Sequence, residues 1–375
     1  MKTFLLPFSG VLAVLAIMTT FILSSSCVHR RPQITSSIKE KKVRGLVDTV
    51  GFAHTARQMD SLMVRIKRME GDSLTKWSQK NLTCRVAVCP HDDYTYVGYL
   101  YPALLQHVKA PTVILFGVAH KARLLGLRDR IVLGSFTAYQ GPWGTIPVSP
   151  LREELIARLD TSLYTVNDSM MAMEHSLEAL LPFLQYFDRR LTILPILVPY
   201  LSFEKMDTIA QALANALQDI TPEHHLQWGP DFAIVISTDA VHYGDSGWHG
   251  NNYAPYGTDE KGTSLAVAHE HTIIDSTLTG RVTPDRLRRF FHYTVSEQDY
   301  TRYKWTWCGR YSVPQGLLTA WYLARLEKAP PLSGILIGYR NSIDHPRIPV
   351  EDLGMGTTAP ASPHHWVGYA AIGYE

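Results

Sequence analysis

The sequence predicts a single α/β domain with a central, mostly parallel or mixed sheet flanked by helices. Three observations carry this. Apolar, β-branched runs alternate with stretches of helical periodicity over residues 46–375. The run at 113–116 lacks polar alternation, as expected of a strand covered on both faces, and 232–237 reads as the most convincing buried strand. No internal repeat or linker interrupts the pattern after about residue 45.

The chain opens with a targeting segment. Lys2 precedes an apolar run over residues 4–23, which ends in Ser24-Ser25-Ser26-Cys27. A basic start, an apolar centre and small residues before a cysteine read as a signal peptide, residues 1–27, with Cys27 as lipid acceptor. The run is also long enough to cross a bilayer uncleaved, and full secretion is a third outcome. All three place the remainder outside the cytoplasm, lipid-anchored or N-terminally anchored in the cell envelope. Residues 28–45 are polar, with proline and basic residues, and read as a tether.

Composition excludes some partners. The 375 residues are 46% hydrophobic, which is far from a disordered composition. The net charge of +2 supplies no electrostatic footprint for nucleic acid. The short basic clusters at 29–31, 39–42 and 286–289 read as solvated surface. Of the four cysteines, Cys84 and Cys89 flank one predicted strand and sit too far apart for an unbent disulfide.

The elements follow in order. Apolar spacing predicts helices over 58–69, 95–108, 150–159, 174–187, 203–217, 258–276 and 314–328. Thr283-Pro284-Asp285 reads as an N-cap followed by proline at the first helical position. Further strands are expected at 130–136, 191–198, 334–339 and 366–374. Residues 244–257 are rich in Gly, Asn and Tyr and read as a loop.

Three of the strands end in chemistry. The run to Cys89 is followed by Pro90-His91-Asp92-Asp93, the run to Gly117 by Val118-Ala119-His120, and the run to Ser237 by Thr238-Asp239-Ala240-Val241-His242. In open α/β sheets, ligands bind beyond the carboxyl ends of strands. His120 is either a metal ligand or a core histidine bonded to a carbonyl. Asp239 is a ligand, a group that orients a histidine through its ring N–H, or an N-cap. Glu174 and His175 are expected to open a helix, with the acid complementing the helix dipole or His175 pointing into the cleft. Cys308 precedes Gly309-Arg310 and a helix, so either its thiol pKa is lowered by the helix start and Arg310, or it is a small buried hydrophobe. Two histidines with a cysteine or aspartate make a three-ligand site. Such sets accept zinc, non-haem iron or copper. There is no HExxH, CxxC pair, P-loop or GxSxG, so any site is assembled from distant stretches.

These residues also form a resemblance. Pro90-His91-Asp92-Asp93-Tyr94-Thr95-Tyr96 resembles the PHAGYxY motif of the Memo family, also called AmmeMemoRadiSam system protein B. Gly117-Val118-Ala119-His120 resembles its GPSHH. Glu174-His175-Ser176-Leu177-Glu178, followed by Leu181-Pro182, resembles its EHSIExHLPY. Ser237-Thr238-Asp239-Ala240-Val241-His242-Tyr243-Gly244 resembles its SSDFCHWG. Cys308-Gly309-Arg310 and Gly368-Tyr369-Ala370-Ala371 resemble its CGR and terminal SYAAG. The order is kept across residues 46–375.

The resemblance implies a fold similar to class III extradiol dioxygenases and one mononuclear metal ion, iron or copper favoured and zinc possible. The implied ligands are His91, His120 and Cys308. Asp239 and His242 would line the same pocket, His242 in the place of the dioxygenases' acid–base histidine, with His175 nearby. Redox chemistry and phosphotyrosine-peptide binding are both associated with the family. This chain departs from it at Asp92-Asp93, where the family has a small Ala-Gly pair, and at Lys121, where it has a second histidine. The added carboxylates are expected to favour a harder cation or to narrow the pocket. The functional expectation is a metal-dependent oxidoreductase. The alternatives are a binding or scaffold protein that uses the pocket for a peptide or small ligand, and a metal-dependent hydrolase. Aromatic residues at Tyr243, Trp248, Tyr253, Tyr256, Trp305 and Trp307 either line the pocket mouth or pack elsewhere.

Overall fold

A computed structural model describes residues 42–375, apart from Gln79 and Asn81. The expected signal segment, Cys27 and nearly all of the tether lie outside the described residues. The end of the tether is corrected. Val43–Arg44 forms strand β1 and pairs in parallel with β5 (Ala138–Gly141), itself paired with β6 (Gly144–Pro147). Arg44 is buried, its guanidinium bonded to the Glu178 carboxylate and the Glu174 carbonyl. Paired backbone and a buried ion pair make these residues part of the folded body.

The main sheet runs in the order β11 (Gly280–Arg281), β12 (Ser333–Asn341), β13 (His365–Tyr374), β2 (Val86–Cys89), β9 (Phe232–Ser237), β3 (Thr112–Val118), β8 (Thr192–Val198), β4 (Ile131–Leu133), β7 (Tyr164–Val166). A short strand β10 (His242–Gly244) pairs with β13 off this path. The centre, β2-β9-β3-β8, is parallel, while β12, β13 and β2 pair antiparallel, so the sheet is mixed.

Successive residues of each central strand enter opposite cores. Val86, Val88, Ile114, Phe116, Ile234 and Ile236 face one layer, and Ala87, Cys89, Val113, Leu115, Ala233 and Val235 the other. The first layer is covered by helices Phe203–Glu223 and Ser312–Leu326. Ser202 caps the former by accepting the Lys205 N–H at 3.2 Å. The second layer is covered by helices Ala56–Ser78, Leu100–Leu105 and Leu181–Phe187. No helix among the described residues is long and apolar enough to cross a membrane.

Two expected helices are broken. The stretch 95–108 splits into Tyr94–Val97 and Leu100–Leu105. Pro102 has no N–H to continue the helix from the preceding turn. The stretch 174–187 becomes helical only at Leu181. Glu174 is extended (φ −100°, ψ 132°) and ends the short helix Asp168–Met173. Its carboxylate accepts the N–H groups of His175 at 3.0 Å and Ser176 at 2.9 Å, which holds that backbone in a turn.

Candidate metal centre

β2, β9 and β3 lie side by side in register, with Cys89 opposite Ser237 and Phe116 opposite Ile236. Their carboxyl ends therefore finish within one residue of each other. His91, Asp239 and His120 each stand two residues past the last strand residue, Cys89, Ser237 and Val118 respectively. The common offset brings three distant stretches to one point.

The protons at His91 can be assigned. Ser237 Oγ donates to the Ser176 carbonyl at 2.6 Å, and a carbonyl can only accept. Ser237 Oγ therefore accepts from His91 Nδ1, 2.7 Å away, and Nδ1 carries the ring proton. Nε2 is left as a bare lone pair. It lies 3.4 Å from Cys308 Sγ and 3.5 Å from Asp239 Oδ2. The sulfur accepts the Asp239 N–H at 3.1 Å, and Asp239 Oδ1 accepts the His91 N–H at 2.9 Å. Cys308 can come this close because Gly309 follows it. A Cβ there would sit 2.1 Å from Thr238 Oγ1.

His120 is held in the same way from the other side. Glu174 accepts its Nδ1–H at 2.9 Å and its backbone N–H at 2.8 Å. The His175 ring stacks on it, with centroids 4.8 Å apart. Burial disfavours charge on both partners, but their mutual attraction outweighs it. Glu174 falls to about 2, and His120, also drawn by Cys308, rises to about 10. One ligand atom from each of His91, His120 and Cys308 lies within 4.8 Å of the others. A hydrogen-bond acceptor on Nδ1, here the Ser237 hydroxyl for His91 and the Glu174 carboxylate for His120, fixes the ring so that Nε2 can be presented to a metal. Two imidazoles and a thiol suit zinc, copper or iron, so the residues fit the expected ion.

The remaining expected residues share one cavity of about 540 Å³, lined by His91, His120, His175, Asp239 and His242, with Cys308 behind its floor. His242 Nδ1 donates to the Thr306 carbonyl at 3.1 Å, and burial pushes its pKa down to about 4. Burial likewise holds His91 well below the usual imidazole range. Asp239 is buried and held well above the usual carboxylate range, first by burial and then by Asp92.

Two expectations are corrected. Cys308 is not activated by a helix start, because burial pushes its thiol pKa up and the helix begins only at Ser312. Arg310 turns away and lies over the rings of Tyr303 and Tyr311, 3.6 and 4.5 Å from their centroids. Glu174 and His175 do not open a helix, as described above.

A family model described as "Memo-like protein" matches residues 50–346. The chain belongs to the Memo-like family. Its mixed sheet flanked by helices agrees with the fold expected of that family. A MEMO1 family protein of Methanosarcina barkeri is 33% identical over 162 residues, covering 42% of this chain and 54% of that protein. One of Thermotoga petrophila is 30% identical over 163 residues, covering 42% and 53%. One of Pyrococcus furiosus is 27% identical over 195 residues, covering 49% and 61%. The chain spans about half the length of the curated relatives it matches.

Several residues of this Memo-like site escaped sequence reading. Ser237 was only the end of a strand, yet it sets the His91 tautomer. Glu270 gave no signal beyond lying on a helix. It is fully buried, and Oε1 accepts the Trp305 and Trp307 indole N–H groups at 2.6 and 2.7 Å while Oε2 accepts the Val241 N–H at 3.1 Å. It thereby ties the Cys308 segment to the Asp239–His242 segment. The aromatic set divides. Trp248 lines the cavity, stacked on His365 at 3.9 Å, whereas Trp305 and Trp307 serve Glu270 and Tyr243 is buried in the core.

Proposed function

We propose that this chain is a metal-dependent oxidoreductase that holds iron or copper at His91, His120 and Cys308. The observation that carries this reading is the convergence of a bare His91 Nε2, the Glu174-anchored His120 and the Cys308 sulfur within 4.8 Å. When bound, the metal supplies one-electron redox chemistry at the cavity floor. The protein's own part is positioning and proton handling. Ser237 and Glu174 hold the two ring orientations, and the Asp239 N–H and Oδ1 steady Cys308 and His91. His242, neutral at pH 7 and lining the cavity, accepts a proton from a bound hydroxyl or returns it.

The test is metal analysis of detergent-solubilised full-length protein purified without oxygen, followed by oxygen uptake in the presence of a reductant. Iron or copper near one per chain, lost in His91→Ala and Cys308→Ser, with oxygen consumption, is the expected result. Zinc with no oxygen consumption would favour metal-dependent hydrolysis instead. Absence of metal, with Cys308→Ser indistinguishable from the parent, would remove the metal reading. The apolar run ending in Ser26-Cys27 supports a lipid-anchored site outside the cytoplasm. Incorporation of a clickable fatty acid, abolished by Cys27→Ala, tests this. Unlabelled protein in the cytosolic fraction would overturn it.

A further inference from the structure

The loop that leaves His120 combines charge and apolar surface in one place. Residues 121–130 carry Lys121, Arg123, Arg128 and Arg130 against Asp129 as the single acid. Leu124 is 76% exposed, more than any other large apolar side chain among the described residues, and Leu125 beside it is 36% exposed. A lone exposed leucine is ordinary. An adjacent pair ringed by cations is what a segment lying on a membrane surface presents.

A fixed turn imposes this exposure. Ala122 is fully buried and roots one turn of 3₁₀ helix, Ala122–Leu125. Gly126 closes the turn in the left-handed region (φ 62°), its N–H donating to the Arg123 carbonyl at 3.3 Å. The Leu127 N–H donates to the Ala122 carbonyl at 3.0 Å, and the Asp129 N–H to the Tyr200 carbonyl at 2.9 Å. Leu127 packs against the second core layer, whereas Leu124 and Leu125 stay at the tip.

Neighbouring residues do not neutralise the cations. Arg128 lies 3.8 Å from Asp129, which also accepts the Tyr300 hydroxyl at 3.1 Å. Lys121, Arg123 and Arg130 are exposed and form no ion pair among the described residues. Asp299, the acid that feels Arg123, is already held by Arg302 at 3.4 Å and by the Thr301 hydroxyl at 2.7 Å.

We propose that this loop docks on an anionic lipid bilayer, with Leu124 and Leu125 entering the boundary of headgroups and acyl chains while the four cations meet lipid phosphates. A bilayer serves both halves of the loop at once, because acyl chains take the leucines and phosphates take the charges. Chain length agrees. Thr137, seven residues after Arg130, donates its N–H to the Lys42 carbonyl, so the start of the folded body lies within about 30 Å of the loop. Residues 28–41 between it and Cys27 can span up to about 50 Å. A chain held at Cys27 can therefore lay this loop on the same membrane. The inference rests on the membrane anchoring proposed above, and not on metal or redox chemistry. Docking holds the His120 side of the cavity next to the bilayer, since Lys121 follows His120 directly.

The experiment uses full-length protein reconstituted into vesicles of phosphatidylcholine alone, or of equal parts phosphatidylcholine and phosphatidylglycerol. A genetically encoded fluorescent amino acid replaces Leu124 or, as a control, Leu265, which is exposed on the helix Glu260–Ile273. Quenching by lipids brominated in the acyl chain reports immersion. Quenching is expected at position 124 and not at 265 in the anionic vesicles, and is expected to be lost in phosphatidylcholine alone and as salt rises. Arg123→Gln combined with Arg130→Gln should remove most of it, with the circular dichroism unchanged. If that variant fails to fold, the lipid and salt dependence of the parent reads the same effect. No quenching at 124, equal quenching at 124 and 265, or quenching indifferent to lipid charge would each overturn the proposal. Fatty-acid uptake at Cys27 with position 124 still in water would sink docking and leave the anchor. Immersion of position 124 in protein that takes up no fatty acid would sink the lipid anchor and leave docking.

Discussion

The floor and the wall of the cavity are built on different terms. The floor is the end of a parallel sheet, where register decides position. His91, His120 and Asp239 sit at one offset beyond three adjacent strands, and every ring orientation is pinned by a second group, Ser237 or Glu174. The wall is built mostly from loop segments 47–52, 92–93, 248 and 358–361, with Val367 and Tyr369 of β13. Its carboxylates hang on backbone N–H and hydroxyl donors, that of Asp92 on the hydroxyl of the strand residue Tyr369. The floor follows the residues that resemble the Memo motifs, whereas the wall contains the departures Asp92 and Asp93. The comparison teaches that the donor set rests on strand register, whereas the wall beside it rests mostly on loop contacts.

That separation is best broken at the floor. His91→Ala or Cys308→Ser should abolish nearly all bound metal, while Asp93→Asn should retain it, as elemental analysis of purified protein would show. Loss of metal in the wall variant would mean that floor and wall are one unit. Next in size is Glu174→Gln, which removes the charged anchor of His120. Metal affinity should drop roughly 10- to 100-fold by chelator competition, with the fold intact by circular dichroism.

Glu270→Gln sharpens the comparison from behind. Its amide oxygen can still take the two indoles, but its NH₂ would face the Val241 N–H, donor against donor. The expected cost is about 1–3 kcal/mol in denaturant unfolding, with weaker metal retention because the Cys308 segment loosens. An unchanged midpoint and unchanged retention would show that the tie is incidental.

A smaller effect comes from acid. Burial lowers His242 to about 4 from an ordinary 6.5, so the unfolded chain binds more protons than the folded one between those values. Stability is therefore full above pH 6.5 and declines as pH falls through about 4. The melting temperature of metal-free protein should fall over this window, less steeply in His242→Gln. A parallel slope in both would assign the acid sensitivity to other groups. Smallest of all is Cys89→Ala. This thiol is buried in the second core layer, so metal content should not change and stability should fall by about 1 kcal/mol.

Much of the floor is legible in the sequence. Apolar runs covered on both faces identify central strands, and a chemically able residue just past each end is visible as text. The resemblance to Memo motifs adds Cys308, which lies 188 residues beyond His120 and has no spacing signal of its own. The wall was far less legible. Asp92 and Asp93 were conspicuous, but Asp48 and Thr358 lie in stretches without periodicity, and nothing in their local sequence says that they meet. The reading of Glu174 as a helix start failed because its carboxylate is used on the His120 side of the site rather than on a helix dipole.

The amino-acid sequence by itself determined the α/β class, the central strands and the histidines at their ends, because burial and periodicity are local properties. Only the tertiary structure decided which ring nitrogen of His91 carries the proton, why Cys308 lies beside it and how many carboxylates share the wall. Those facts depend on contacts between residues far apart in the chain, such as Ser237 with Ser176 and Asp93 with Thr358, and local sequence does not encode such pairings.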